Sequence, residues 1–224
     1  MNPPPENLAG VMAEHQIHLP AAQIARLEQY CALLWEWNAK LNLTRHTDYQ
    51  KFVTRDLVDS LAFAQFLAPG ETVLDVGTGG GVPGVVLAIV RPDLKIALCE
   101  SVGKKARAVT DIVARLALDL PAHHARAEDL LAGSRYDTLV LRAVARLRKL
   151  LEWFHPHWRA FGRMLVLKGP AWADERGEAR HYGLMHGLEL RKLASYPLPG
   201  RESESVLLEI KRKPANSQRR SMGM

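Results

Sequence analysis

A chain of 224 residues with 47% apolar residues suits one large globular domain, or one domain with a small extension. It has no run of about 18 apolar residues, so no transmembrane helix is expected, and Met1 to Asn7, with three prolines and an acid, does not read as a secretory signal. The net charge of +6 and isoelectric point near 9.5 favour a polyanionic partner, while two distant cysteines, Cys31 and Cys99, argue against a disulfide and make the cytoplasm the default compartment.

Residues 1–16 read as a loosely ordered N-terminus. From Pro20, the residues Ile24, Leu27, Cys31, Leu34, Asn38 and Leu41 follow the three-and-four spacing of a helix. A second helix is expected from Thr47, where Thr47 and Gln50 resemble a capping box. Val53, Leu57, Leu61 and Ala64 form its apolar stripe, Lys51 and Arg55 face outward, and Pro69-Gly70 closes it. Residues 17–70 are therefore a helical extension ahead of the first core strand.

Alternating strands and helices follow. The spacing predicts a strand over 72–77, a helix near 83–90, a strand over Lys95–Glu100 and a helix from Lys104 to Leu118. A short strand over 122–126 comes next, then a strand over 136–143, a helix over 146–161 and a strand over 163–168. A polar helix near 173–186 and strands near 188–196 and 205–212 complete the chain. The pattern predicts an α/β fold: a doubly wound, mostly parallel seven-stranded sheet with an antiparallel C-terminal edge. The core domain is expected over 71–213, with a basic disordered tail over 214–224.

The chemistry centres on residues 72–84. A buried apolar run, Val73-Leu74-Asp75-Val76, leads into Gly77, Gly79, Gly80 and Gly81, then Val82-Pro83-Gly84 and a second apolar run. Strand, glycine loop and helix in this order open a nucleotide-binding βαβ unit. Gly79 to Gly84 fits G-x-G-x-x-G, the dinucleotide pattern, but Asp75 stands two residues before Gly77. An acid there repels pyrophosphate and suits the ammonium and sulfonium of S-adenosylmethionine, so Asp75 tips the reading toward that cofactor. An NAD(P)-dependent oxidoreductase is the competing reading, and a non-catalytic RNA-binding module on the same fold is another.

Glu100 ends the second strand, where a carboxylate accepts both hydroxyls of a nucleoside ribose. Ala127 and Glu128 follow the third strand, beside the crevice beyond the strand ends. Arg142 and Lys168 end the fourth and fifth strands and predict a cationic rim. No histidine or cysteine spacing matches a closed metal site, and no general base emerges. That absence suits a nucleophile whose free lone pair needs no prior deprotonation; alignment and electrostatics then carry the catalysis.

These residues resemble the RsmG (GidB) family of bacterial methyltransferases. The resemblance rests on Trp37-Asn38, Leu41-Asn42-Leu43-Thr44, Asp59-Ser60-Leu61, the run Asp75 to Gly84, Lys104-Lys105, Arg126-Ala127-Glu128, Arg142-Ala143 and Leu167-Lys168-Gly169. It implies a class I methyltransferase Rossmann-like fold, S-adenosyl-L-methionine as cofactor, and methyl transfer to N7 of a guanosine in 16S ribosomal RNA or a small-subunit precursor. It implies cofactor contacts at Gly77, Val82, Ala127, Glu128 and Arg142, alongside Asp75, Gly79, Gly81 and Glu100 from the loop reading. It also implies that Arg142 and Lys168 face the RNA or the reacting guanine as catalytic residues. The expected form is a monomer with no membrane partner and no metal. One departure stands out: the family usually carries a histidine three residues before Asp-Ser-Leu, and here that position is Asp56.

Overall fold

The spacing of Leu27, Cys31 and Leu34 becomes α2, Ala21–Asn38, which buries them together with Tyr30 in the computed structural model. The structure describes residues 7–197 and 204–214; the basic tail expected over 214–224 lies outside these apart from Pro214. Helix α2 stops at Asn38, short of Leu41, because the Asn38 side chain accepts from the amides of Leu43 and Thr44 at 2.8 and 2.9 Å. The Trp37-Asn38 and Leu43-Thr44 pairs are thus two halves of one turn.

Ahead of α2, the expected loose N-terminus is corrected by α1, Leu8–Glu14, whose Leu8, Val11 and Met12 are buried. Asn7 caps it by accepting from the Gly10 amide at 2.8 Å. Its stripe is a single turn and a half, too short to stand out beside the prolines that precede it.

The second predicted helix has three parts: α3, Tyr49–Lys51; a wide π-helical turn, Phe52–Leu57; and α4, Val58–Ala64. Its cap is Asp48, which accepts from the Lys51 amide at 2.7 Å, and not the predicted Thr47–Gln50 box. Asp48 is one residue nearer the first free amides, and its carboxylate is the stronger acceptor.

The remaining elements are β1 Thr72–Val76, α5 Gly84–Val90, β2 Lys95–Glu100, α6 Gly103–Arg115, β3 Ala122–His124, α7 Ala127–Leu131, β4 Tyr136–Arg142, α8 Leu147–Phe154, β5 Phe161–Lys168, α9 Trp172–His181, β6 Leu188–Pro197 and β7 Glu204–Arg212. Helix α8 ends well before 161 because Pro156 cannot continue it, and a 3₁₀ turn, His155–His157, takes over. Helix α9 ends by 181, with Gly183 left-handed just beyond it.

The strands form one sheet in the order β3-β2-β1-β4-β5-β7-β6. β1/β2, β2/β3 and β4/β5 are parallel, whereas β7 runs antiparallel to both β5 and β6. This is the doubly wound sheet with an antiparallel edge that the sequence pattern predicts.

The chain divides into two compact units, Met1–Ala127 and Glu128–Met224, so the division falls inside the core domain expected over 71–213. In the first unit α2 packs on α5 and α6. The Arg26 guanidinium donates to the Leu116 carbonyl, the Trp37 indole donates to Asp111 at 2.7 Å, and Arg115 pairs with Glu36 at 2.8 Å. In the second unit β5 and β7 share an ion cluster, Glu209 with Arg163 and with Lys211, each at 3.1 Å.

Candidate functional site

In the first unit the chain leaves β1 through a turn in which Gly77, Gly79 and Gly81 have φ of 68°, 59° and 108°. Left-handed backbone of this kind strongly favours glycine. The glycines nevertheless do different jobs. A Cβ on Gly79 would meet only the Gly77 carbonyl oxygen, at 3.9 Å, so that face of the loop lies open. A Cβ on Gly80 would stand 2.7 Å from Leu34 of α2, and one on Gly84 would strike Leu98 and lie 2.6 Å from Asp75. Gly79 leaves room for a ligand; Gly80 and Gly84 let the loop pack against its own domain.

The loop amides are engaged from within. The amides of Gly77 and Thr78 donate to the Cys99 carbonyl at 2.8 and 3.1 Å. The Gly79 amide donates to Glu100 at 3.0 Å, and those of Gly81 and Val82 donate to the Thr78 carbonyl at 2.8 and 3.2 Å. At the start of α5, the Gly84 amide and the Thr78 hydroxyl both donate to the same Asp75 oxygen, at 2.8 and 2.6 Å. Asp75, 1% exposed, therefore lies under the loop and orders it.

Glu100 is 5% exposed. One of its oxygens accepts from Gly79 and the other from the Val102 amide at 2.8 Å. A carboxylate offers about four lone-pair sites, so each oxygen retains capacity toward a ribose. A pyrophosphate would find the Gly79 and Gly84 amides already bound to acids and two buried negative charges behind them. The same features suit a ligand whose near end is cationic, which is the test S-adenosylmethionine passes and a dinucleotide fails.

Sequence reasoning missed Tyr30. Its buried hydroxyl donates to the Gly80 carbonyl at 2.9 Å, so α2 holds the loop directly. The available signal was a tyrosine on the apolar stripe of a helix, since a buried phenol needs a partner. Ala127, 4% exposed, opens α7 at the end of this unit. Cys31 and Cys99 are buried and not joined in a disulfide; burial, then the charges of Asp56 and Glu28, push the Cys31 thiol well above its ordinary range, as expected for a core residue and not a nucleophile. Among the described residues no cluster of histidine, cysteine and acid could hold a metal. At the departure from the family pattern, Asp56 is buried and lies 2.9 Å from the Nδ1 of His46, so an imidazole reaches this position from the preceding loop.

In the second unit Glu128 is half-buried in the first turn of α7. Arg142 ends β4 half-buried, and Ala143, which follows it, has φ of 55°. A left-handed alanine stores about 1–2 kcal/mol, and such outliers gather at functional sites. Lys168 departs from its expected place on an open rim. Its side chain is 10% exposed and pairs with Glu175 of α9 at 2.8 Å, and it donates to the Ala145 carbonyl at 2.5 Å. Glu175 also accepts from the Leu147 amide at 2.7 Å, where α8 begins. Lys168 and Glu175 together pin the turn that runs on from Arg142. Glu175 was another residue missed, hidden among the acids of a polar helix.

Comparison with known proteins agrees with this geometry. The family described as rRNA small subunit methyltransferase G (GidB) matches residues 23–202. The chain belongs to this family. The ribosomal RNA small subunit methyltransferase G of Rhodopirellula baltica is 55% identical over 172 residues, covering 77% of this chain and 74% of that one. The protein of the same name from Roseiflexus castenholzii is 37% identical over 217 residues, covering 93% and 92%.

Among solved structures, M. capricolum TrmK in complex with S-adenosylhomocysteine matches with a TM-score of 0.55 at 12% identity, covering 69% of this chain and 68% of that one. A mutant of MtNAS in complex with S-adenosylmethionine also gives 0.55, at 14% identity and 93% and 84% coverage. At such identities the likeness speaks for the fold alone. It is the class I methyltransferase fold, as the sequence pattern and the resemblance predict for this family member.

Proposed function

We propose that this chain transfers a methyl group from S-adenosyl-L-methionine to N7 of a guanosine in small-subunit (16S) ribosomal RNA. The observation that carries the reading is the glycine loop, whose Gly79 and Gly84 amides are bound to two buried carboxylates, an arrangement that opposes phosphate and accepts a cationic ligand. Membership of the family supplies the substrate class.

When bound, the cofactor supplies an electrophilic methyl on a sulfonium. Glu100 would hold the ribose through its remaining lone pairs, with Ala127 and Glu128 beside the adenine. The open backbone at Gly79, with Gly77, Gly81 and Val82, would admit the amino-acid end over the charge of Asp75. Arg142 would orient the RNA and counter its phosphate charge. Lys168 acts as a positioning residue, holding the turn after Arg142 through Glu175 and Ala145. Since guanine N7 presents its lone pair unprotonated, the chain needs to align and to exclude water rather than to remove a proton.

The helical extension over 17–70 would serve the core over 71–213 by bracing the loop and widening the RNA surface. Among the described residues no helix is long and apolar enough to cross a membrane; a cytoplasmic monomer acting on the rRNA or a precursor particle fits the reading.

Two measurements test it. Calorimetry is expected to register S-adenosylhomocysteine and not NAD, and labelled methyl from the cofactor is expected in small-subunit rRNA, mapping to one guanosine. Cofactor binding without transfer to any rRNA would reduce the protein to a non-catalytic module.

A further inference from the structure

The second unit carries a cavity of about 660 Å³ lined by none of the residues assigned above to methyl transfer. It lies where the 3₁₀ turn leads into β5, beside the end of β7 and the start of β6. The register that pairs Arg163 with Lys211 puts Arg212 next to the beginning of β5. Lys168 is at the other end of β5, roughly 23 Å away at about 3.3 Å per residue.

The ionisable groups lining the cavity are all of one kind: His155, Arg159, His186, Arg212 and Lys213, with no carboxylate. The three cations are exposed, and none makes an ion pair among the described residues. Elsewhere the same unit pairs its cations closely: Arg148 with Glu152 at 2.9 Å, Lys168 with Glu175 at 2.8 Å and Arg191 with Glu189 at 2.6 Å. Like charges gathered in a concavity without counter-charge repel one another and focus a field on whatever enters.

A second, independent observation points to an acceptor. Trp158 also lines the cavity, is 9% exposed, and has a buried indole Nε1–H with no hydrogen-bond partner. A buried donor left unmade costs about 1–3 kcal/mol. Its ring packs on Phe161 at 4.6 Å between centroids, so it offers an N–H more readily than a face for a base. Three unpaired cations, two imidazoles and an orphaned indole donor make an oxyanion site and not a stacking platform.

We propose that this cavity binds a phosphodiester of the RNA substrate, at the sheet edge opposite Arg142 and Lys168. The proposal rests on the methyltransferase reading and adds to it a second, sequence-independent RNA contact, so that the protein engages RNA well beyond the modified base.

The test uses the full chain and the double variant Arg159→Ala/Arg212→Ala, with Arg159→Lys/Arg212→Lys as the charge-preserving control. Binding to small-subunit rRNA is measured across a salt series. The alanine variant is expected to bind about 10-fold more weakly near 0.1 M salt, with a log–log salt slope shallower by about 1.5, as for the loss of two phosphate contacts. The lysine variant is expected to retain the wild-type slope, and S-adenosylhomocysteine affinity is expected to stay the same in all three proteins, which also reports folding. RNA is expected to quench wild-type tryptophan emission more than that of Trp158→Phe, and the alanine defect is expected to vanish with an RNA fragment of only a few nucleotides around the target.

An unchanged affinity and slope in the alanine variant would overturn the proposal while leaving methyl transfer intact. Saturable quenching of Trp158 by AMP or inorganic phosphate, with no change in the RNA slope, would overturn it in favour of a free-phosphate site. Failure of the wild type to methylate any rRNA would instead overturn the reading on which the proposal stands.

Discussion

Two loops in this molecule hold irregular backbone at the end of a parallel strand, and they do it by different means. The loop after β1 uses glycine wherever φ is positive and buries two carboxylates against its amides. The turn after β4 places an alanine at φ of 55° and relies on a nearly buried lysine–glutamate pair to hold the backbone beyond it. In the first, conformational freedom is written into residue type, so the loop is low in strain. In the second, the backbone is strained locally and is over-determined by Lys168, Glu175 and the start of α8. The first solution leaves the backbone open at Gly79; the second fixes the backbone immediately after Arg142.

The comparison can be broken at Arg142. Arg142→Ala is expected to lower methyl transfer to small-subunit rRNA about 100-fold, the scale of lost alignment, with a thermal midpoint close to that of the wild type. Wild-type rates in that variant would remove its assigned role.

Next in size is Lys168→Met, which leaves Glu175 without its cation. It is expected to cost about 2 kcal/mol in denaturant unfolding, and to slow transfer more than it weakens S-adenosylhomocysteine binding. An equal loss in both would mean that the pair serves the whole fold and not the turn.

The glycine loop is probed through Tyr30→Phe. Losing the bond to the Gly80 carbonyl is expected to cost about 1 kcal/mol, read as roughly a fivefold higher calorimetric Kd for S-adenosylhomocysteine. The smallest effect sharpens the contrast most. Gly79→Ala and Ala143→Gly exchange residue types at two left-handed positions, φ of 59° and 55°. The first is expected to destabilise by about 1 kcal/mol and the second to stabilise by less than that, since relief of strain is partly offset by a freer unfolded chain. Unfolding midpoints moving in the same direction would sink the distinction between the loops.

How much of this was legible depended on how local the cause was. β2 appears at its predicted bounds, Lys95–Glu100, because an apolar run ending in an acid needs no distant partner to be read. Glu100, Gly79 and Arg142 stood out because strand ends and glycine loops have local signatures. The short α1 was hidden by the prolines before it, and the cap at Asp48 was one residue away from a plausible competitor. Lys168 read as a surface cation because nothing nearby in sequence announces Glu175 as its partner. Asp75 was singled out as an unusual acid, yet its engagement with Thr78 and Gly84 appears only once the loop has folded back over it.

From its residues alone, this chain was committed to an alternating α/β order, a glycine turn flanked by acids, and a basic surface, since periodicity, φ preference and net charge are properties of the chain itself. Which amides those acids would take, which helix would hold the loop through Tyr30, which cation would turn inward and which would gather unpaired around Trp158 were decided only in three dimensions. Hydrogen bonds and ion pairs depend on distances between residues far apart in the chain, and only the packed sheet and its helices set those distances.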